Sequence, residues 1–198
     1  MGKADLNKQK KRESLLDTAF ELFTTKGLPQ TSIADIVERA GVAKGTFYLY
    51  FKDKYDIKDR LIVHKTGQLF VNAYDELKKR PDITDLSDRI IFICDHVLDA
   101  LSANKALVSL ISKDLSWGVF KRVLTTSDDG VDFRDIYDNM IKESGRGIRS
   151  PEMMLFLIVE LVGATGYSAI MYSSPVTLDE LKPDLFRSIR SIIDQFTQ

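Results

Sequence analysis

Ser32-Ile33-Ala34-Asp35-Ile36-Val37-Glu38-Arg39-Ala40-Gly41-Val42-Ala43-Lys44-Gly45-Thr46-Phe47-Tyr48-Leu49-Tyr50-Phe51 is the stretch whose reading decides the fold. Ser32 and Asp35 have the spacing of a capping box, in which the hydroxyl accepts the backbone N–H three residues on and the carboxylate reaches back. Ile33, Ile36, Val37 and Ala40 then recur at i, i+3, i+4 and i+7, the helical period. Gly41 supplies a left-handed turn that a Cβ resists. A further short helix is expected from about Ala43 to Phe51, with Phe47 and Phe51 on one face. Two short helices joined by a glycine turn behind a capped start form a helix-turn-helix.

In that motif Ile33, Ile36, Val37, Val42, Phe47 and Phe51 supply a small core. Lys44, Gly45, Thr46, Tyr48 and Tyr50 are left to meet a partner. Their chemistry suits DNA: an ammonium for guanine or phosphate, a glycine for close backbone approach, a threonine for phosphate and a thymine methyl, phenols for phosphate oxygens. Four aromatics in five residues cannot share one helical face, so at least one tyrosine points outward. Lys54 lies in the first turn of the next helix, where backbone N–H groups and the lysine could together hold a phosphate. Thr31 and Ser32, at the head of the motif, join the expected DNA-binding set.

Upstream, Leu16, Ala19, Phe20 and Phe23 carry a helical pattern that Gly27 closes, with Pro29 just beyond. Residues 1–12 hold five basic side chains and read as a flexible arm entering that helix. Downstream, one long helix runs from Asp53 to the breaker Pro81. Helical patterns follow at about 84–103, 105–126, 132–145, 151–173 and 178–197. Pro183 falls inside the last of these, and a start there would put the proline in a first turn. No β-alternation is long enough for a strand.

Composition agrees with a folded helical protein. The 198 residues are 44% hydrophobic and 29% charged, with a formal net charge of −1. Residues 1–60 carry 12 Lys/Arg against 9 Asp/Glu, while the remainder carries 16 against 20. A basic front and an acidic rear fit one end that meets an anion. The lone Cys94 permits no internal disulfide, as expected of a cytoplasmic protein. It sits in the apolar run 90–94, where it reads as a small hydrophobe. The start of the chain has no apolar h-region, so no secretory signal is expected. The apolar stretch Met153–Tyr172 is interrupted by Glu160, Gly163, Thr165, Gly166 and Ser168, and is expected to be a core helix and not a membrane span.

Residues 31–54, with Ala19-Phe20-Glu21-Leu22-Phe23 and Lys26-Gly27 before them, resemble the DNA-binding region of the TetR family of bacterial regulators. The resemblance covers roughly residues 10–60. It implies an all-α homodimer: an N-terminal three-helix helix-turn-helix domain, followed by a larger helical ligand-binding and dimerisation domain. It also implies that Lys44, Gly45, Thr46, Tyr48, Tyr50 and Lys54 stand at DNA-contacting positions. Ala43 departs from the family, which usually has Ser as the cap of the recognition helix. The domain boundary is expected at 54/55, giving a DNA-binding domain over 1–54 and an effector-binding and dimerisation domain over 55–198.

The expected function is a sequence-specific DNA-binding transcriptional regulator, a repressor released by a small-molecule inducer. The partners are double-stranded DNA with a pseudo-palindromic operator, a second copy of the chain, and a mostly apolar effector. Phe92, His96, Trp117, Phe120, Tyr137 and Met140 form an aromatic and Met-rich set. Taken alone it reads as ordinary core; with the resemblance it becomes the candidate effector pocket. The helix over 155–172 is apolar on nearly every face, so it needs cover on every side. Leu161, Ala164, Gly166 and Ser168, with Leu185, Ile189, Ile192 and Ile193 of the last helix, are the expected dimer seam. No Cys/His cluster has metal spacing, and no cofactor is expected. Phosphate loops, zinc-protease and nucleophile-elbow motifs are lacking, which argues against an enzyme. The exposed Lys44-to-Lys54 set argues against a helical adaptor that never meets DNA.

Overall fold

A computed structural model describes residues 3–111, 117–118, 121–122 and 133–198. Among these residues the helices are α1 (Lys3–Thr25), α2 (Ile33–Arg39), α3 (Lys44–Tyr48), α4 (Lys54–Lys78), α5 (Leu86–Ser102), α6 (Lys105–Ile111), α7 (Phe133–Ser144), α8 (Pro151–Tyr172) and α9 (Leu178–Phe196). They include no strand, only an isolated bridge between Ile148 and Thr197. The chain divides into two compact units, Met1–Ile62 and Val63–Gln198, the division falling within α4.

In the first unit, α1 starts earlier than expected. Residues 3–12 are helical and not a flexible arm, because the segment contains no proline or glycine and is rich in Lys, with Ala4, Leu6, Gln9 and Arg12, all good helix formers. Gly27 ends α1 at φ +89°, its N–H reaching back to the Leu22 carbonyl at 3.2 Å. The expected capping box is present. The Asp35 N–H donates to Ser32 Oγ at 3.1 Å, and the Ser32 N–H donates to Asp35 Oδ2 at 2.8 Å. Gly41 takes φ +66° and turns the chain into α3. Leu15, Leu16, Ala19, Ile36, Phe47, Phe51, Ile57 and Leu61 are buried at the centre of this unit. Burying each large apolar side chain contributes about 1.5–3 kcal/mol.

In the second unit, α8 packs along α9 and also meets α5 and α6. Leu185, Ile189, Ile193 and Phe196 of α9 and Met154, Leu155 and Ile158 of α8 are buried within one chain. Thr177 and Glu180 form a second capping box, so α9 begins at Leu178 and carries Pro183 in its second turn, not its first. Lys182 of α9 bridges Asp95 and Asp99 of α5 at 2.7 and 2.5 Å. Helix α8 is, by length and composition, apolar enough to cross a membrane. One side of it is instead packed within this unit.

Candidate DNA interface and apolar cavity

Helix α3 is five residues long, about 7.5 Å at 1.5 Å per residue, and stops at Tyr48 where a helix to about Phe51 was expected. Beyond Tyr48 the chain tightens into turns: the Leu49 N–H bonds the Thr46 carbonyl and the Tyr50 N–H the Phe47 carbonyl. Ala43 stands at the N-cap in extended geometry with no side-chain cap, as its lack of a hydroxyl requires.

The expected DNA-facing residues divide. Lys44 and Gly45 are exposed, and Tyr48 is 52% exposed. A Cβ built on Gly45 would meet nothing within 4 Å, and its φ is not positive. Nothing in the chain itself therefore demands glycine there, whereas a closely approaching partner backbone would. Thr46 and Lys54 are half-buried, with Lys54 Nζ donating to the Pro29 carbonyl at 3.3 Å. Ser32 is exposed, its hydroxyl held in the capping box.

Three expectations need correction. Thr31 is only 1% exposed, and its hydroxyl donates to the Gly27 carbonyl at 2.8 Å. It pins the turn between α1 and α2, and its side chain does not face outward. The Tyr50 hydroxyl donates to the Lys8 carbonyl at 3.1 Å and so ties the loop after α3 to α1. The N-terminus of α4 is already capped: Asp53 Oδ1 accepts the N–H groups of Tyr55 and Asp56 at 2.8 and 2.9 Å. A phosphate at that helix end would find two of its donors occupied.

Two outward residues were missed. Leu49 is 78% exposed and Tyr55 64% exposed, the latter with Lys54 Nζ 5.9 Å from its ring centroid. The density of aromatics between Phe47 and Tyr55 was the available signal for the tyrosine. Leu49 had none, because a leucine amid aromatics reads as core.

The second unit holds a cavity of about 140 Å3. Its wall includes Thr66, Phe70 and Tyr74 of α4, Cys94 and Leu98 of α5, Tyr137 and Met140 of α7, and Gly166 of α8. Of the candidate pocket residues, Tyr137 and Met140 do line it. Phe92 and His96 do not: they stack on each other at 4.1 Å between centroids, with His96 Nδ1 3.1 Å from the Phe92 carbonyl. Trp117 packs edge-on to Phe156, and its backbone N–H donates to Glu160 Oε1 at 2.6 Å. Phe120 lies outside the described residues. The α4 wall was missed because its apolar stripe is indistinguishable in sequence from an ordinary packing face. Burial pushes the Cys94 thiol up to about 12, so it stays protonated beside the cavity.

The dimer-seam residues divide as well. Leu185 is 2% exposed and Ile189 and Ile193 are fully buried, all within their own chain. Gly166 is buried against Leu98. These four are core and not seam, because packing inside the unit already covers them. Leu161, Ser168 and Ile192 are half-exposed and Ala164 is exposed. Leu161, Ala164 and Ser168 fall on one stripe of α8 with Met153, Leu157 and Tyr172, which are 51%, 39% and 65% exposed.

A helix-turn-helix head with an outward lysine–tyrosine surface, joined in sequence to a helical unit with an apolar cavity, is the architecture of a ligand-responsive regulator. Residues 15–61 match the model of the bacterial regulatory proteins, tetR family. The chain is 36% identical over 179 residues to the HTH-type transcriptional repressor KstR2 of Rhodococcus jostii, covering 87% of this chain and 85% of that one. The chain belongs to the TetR family. It is also 37% identical over 73 residues to the fatty acid metabolism regulator protein of Bacillus subtilis, and 43% identical over 70 residues to the regulator YvdT of the same organism. Those two matches cover 37% and 35% of this chain and span 38% and 34% of the relatives' own length, about a third. In fold it resembles the structure of FadR from Bacillus subtilis in complex with stearoyl-CoA, with TM-score 0.65 and 21% identity, over 91% of this chain and 98% of that one.

Proposed function

We propose that this chain is a sequence-specific DNA-binding transcriptional regulator, a repressor and not an enzyme. In this reading it works in the cytoplasm as a homodimer on a pseudo-palindromic operator, and a mostly apolar small molecule releases it. The observation that carries the reading is the outward surface of α3 and the first turn of α4. Lys44, Gly45 and Tyr48 stand free of the packed core, on a helix narrow enough for a major groove about 12 Å wide. Residues 1–54, which fall within the first unit, are the DNA-binding domain in this reading, and 55–198 carry effector binding and dimerisation.

The apolar stripe Met153–Leu157–Leu161–Ala164–Ser168–Tyr172 is the surface that supports the dimer. One face of α8 is packed within its own chain, and a second copy would cover the other by two-fold symmetry. Pairing also doubles the DNA site, which one five-residue helix cannot make specific alone. The cavity supports the effector, as does the stearoyl-CoA complex of FadR among the similar proteins, while the repressor KstR2 supports the sign of regulation.

Selection of bound fragments from the source genome, followed by anisotropy titration, tests the reading. Lys44→Ala is expected to weaken binding and relax base preference, whereas Lys54→Ala weakens all sequences alike. The logarithm of affinity should fall with the logarithm of salt at about −0.9 per neutralised phosphate. Binding that shows no sequence preference, or that ignores both substitutions, overturns the assignment.

A further inference from the structure

Helical Ser and Thr side chains often turn their hydroxyl back onto the carbonyl four residues earlier. This chain follows that habit. Thr24, Thr165, Ser168 and Ser188 donate to Phe20, Leu161, Ala164 and Asp184 at 2.8, 2.6, 3.1 and 2.9 Å. Thr66, in the middle of α4, breaks it. Its residue is 6% exposed, its Oγ1 is fully buried with no hydrogen-bond partner, and it lines the cavity. Among the described lining residues it is the sole one with such an oxygen. Tyr137 spends its hydroxyl on the Pro151 carbonyl at 2.8 Å, and the Tyr167 hydroxyl pairs with that of Tyr172 at 3.2 Å. Among the described residues, no charged side chain lines the wall.

We propose that Thr66 is the polar anchor of the effector site, and that the cavity takes an uncharged, mainly hydrocarbon molecule carrying one hydrogen-bonding oxygen that meets Thr66 Oγ1. This rests on the reading of the cavity as the effector pocket. A buried hydroxyl without a partner is costly. Among the described lining residues no second buried side-chain oxygen stands unpaired to help hold a water there, and an ordered water needs two to four polar partners. A ligand oxygen needs only one. A carboxylate or phosphate would be buried with no cation beside it, which disfavours anionic groups within the cavity itself. The volume is on the order of an engineered 150 Å3 cavity that holds benzene, so a single substituted ring fits, and its oxygen meets Oγ1 once the Thr66 side chain turns about χ1 to face the cavity.

The test is calorimetric titration of the full-length protein with three probes of one shape: toluene, p-cresol and p-toluate. The wild type should bind p-cresol at least as tightly as toluene and p-toluate not measurably. Thr66→Val keeps the shape and removes the oxygen. It should weaken p-cresol about tenfold while leaving toluene unchanged or tighter, and Thr66→Ser should restore p-cresol binding. Thermal melts of both variants, expected at or above the wild-type midpoint for Thr66→Val, establish that they fold. Unchanged preference in Thr66→Val, equal binding of p-toluate, or no binding of any probe overturns the proposal. Operator release is measured separately. Thr66-dependent binding without release sinks the regulatory reading of the cavity and leaves the anchor standing.

Discussion

Gly166→Ala adds one methyl group to the wall between α8 and α5. A Cβ at that position would lie 2.5 Å from Leu98 Cδ2 and 4.0 Å from Cγ. Relaxed carbon–carbon contact is about 3.5–4.0 Å, so the Leu98 methyl must retreat by about 1–1.5 Å. Leu98 is 2% exposed, and the open space beside it is the cavity that both residues line. Overpacking of this kind costs about 1–3 kcal/mol. Replacing a mid-helix glycine returns about 0.5–1 kcal/mol of backbone entropy. The expected net effect is a loss of about 0–2.5 kcal/mol, with a smaller cavity that binds p-cresol less tightly. Urea unfolding followed by Trp117, the only tryptophan, reports on this unit. Leu98→Val in the same chain should recover both stability and binding, since it removes the displaced methyl. A Gly166→Ala protein that is stabilised by about 1 kcal/mol and binds the probe unchanged would refute the reasoning, because Leu98 would then have room elsewhere.

Leu157→Arg, on the exposed stripe of α8, should yield folded monomers in sedimentation and abolish tight operator binding; a dimer that survives it places the interface elsewhere. Thr31→Val should cost about 1–2 kcal/mol in urea unfolding, because the Gly27 carbonyl loses the hydroxyl that donates to it in the buried turn. Asp35 is held down at about 2 from 3.8, chiefly by its hydrogen bond from Lys26 and then by the Ser32 N–H. A depressed carboxylate stabilises the fold above its unfolded value and stops doing so as pH falls through the folded one. The first unit should therefore lose stability between about pH 4 and pH 2, and Asp35→Asn should flatten that part of the profile. Ser173 ends α8 at φ +49°, so Ser173→Gly should raise the melting temperature by relieving a left-handed conformation.

The N-terminal unit was legible because its signals are local. A capping box, a glycine at positive φ and an i, i+3, i+4 pattern each act within a few residues, and Ser32, Gly41 and Phe47 behave as their spacing requires. What sequence could not supply is where a polar group finds its partner. Thr31 and Tyr50 have the composition of surface residues, yet their hydroxyls close contacts 4 and 42 positions away. Asp53 caps α4 and occupies N–H groups that an anion would otherwise use.

The same physics explains the C-terminal unit. Periodicity tells which faces of α8 and α9 are apolar but not what covers each, so buried residues and those of an outward stripe look alike. Ile189 and Leu157 are both large aliphatic residues on apolar helix faces. Only packing shows that Ile189 is sealed within its own chain while Leu157 is 39% exposed. That difference rests on long-range contact between two helices that the sequence separates by a loop. It is the reason the proposed seam leaves α9 for the outward stripe of α8.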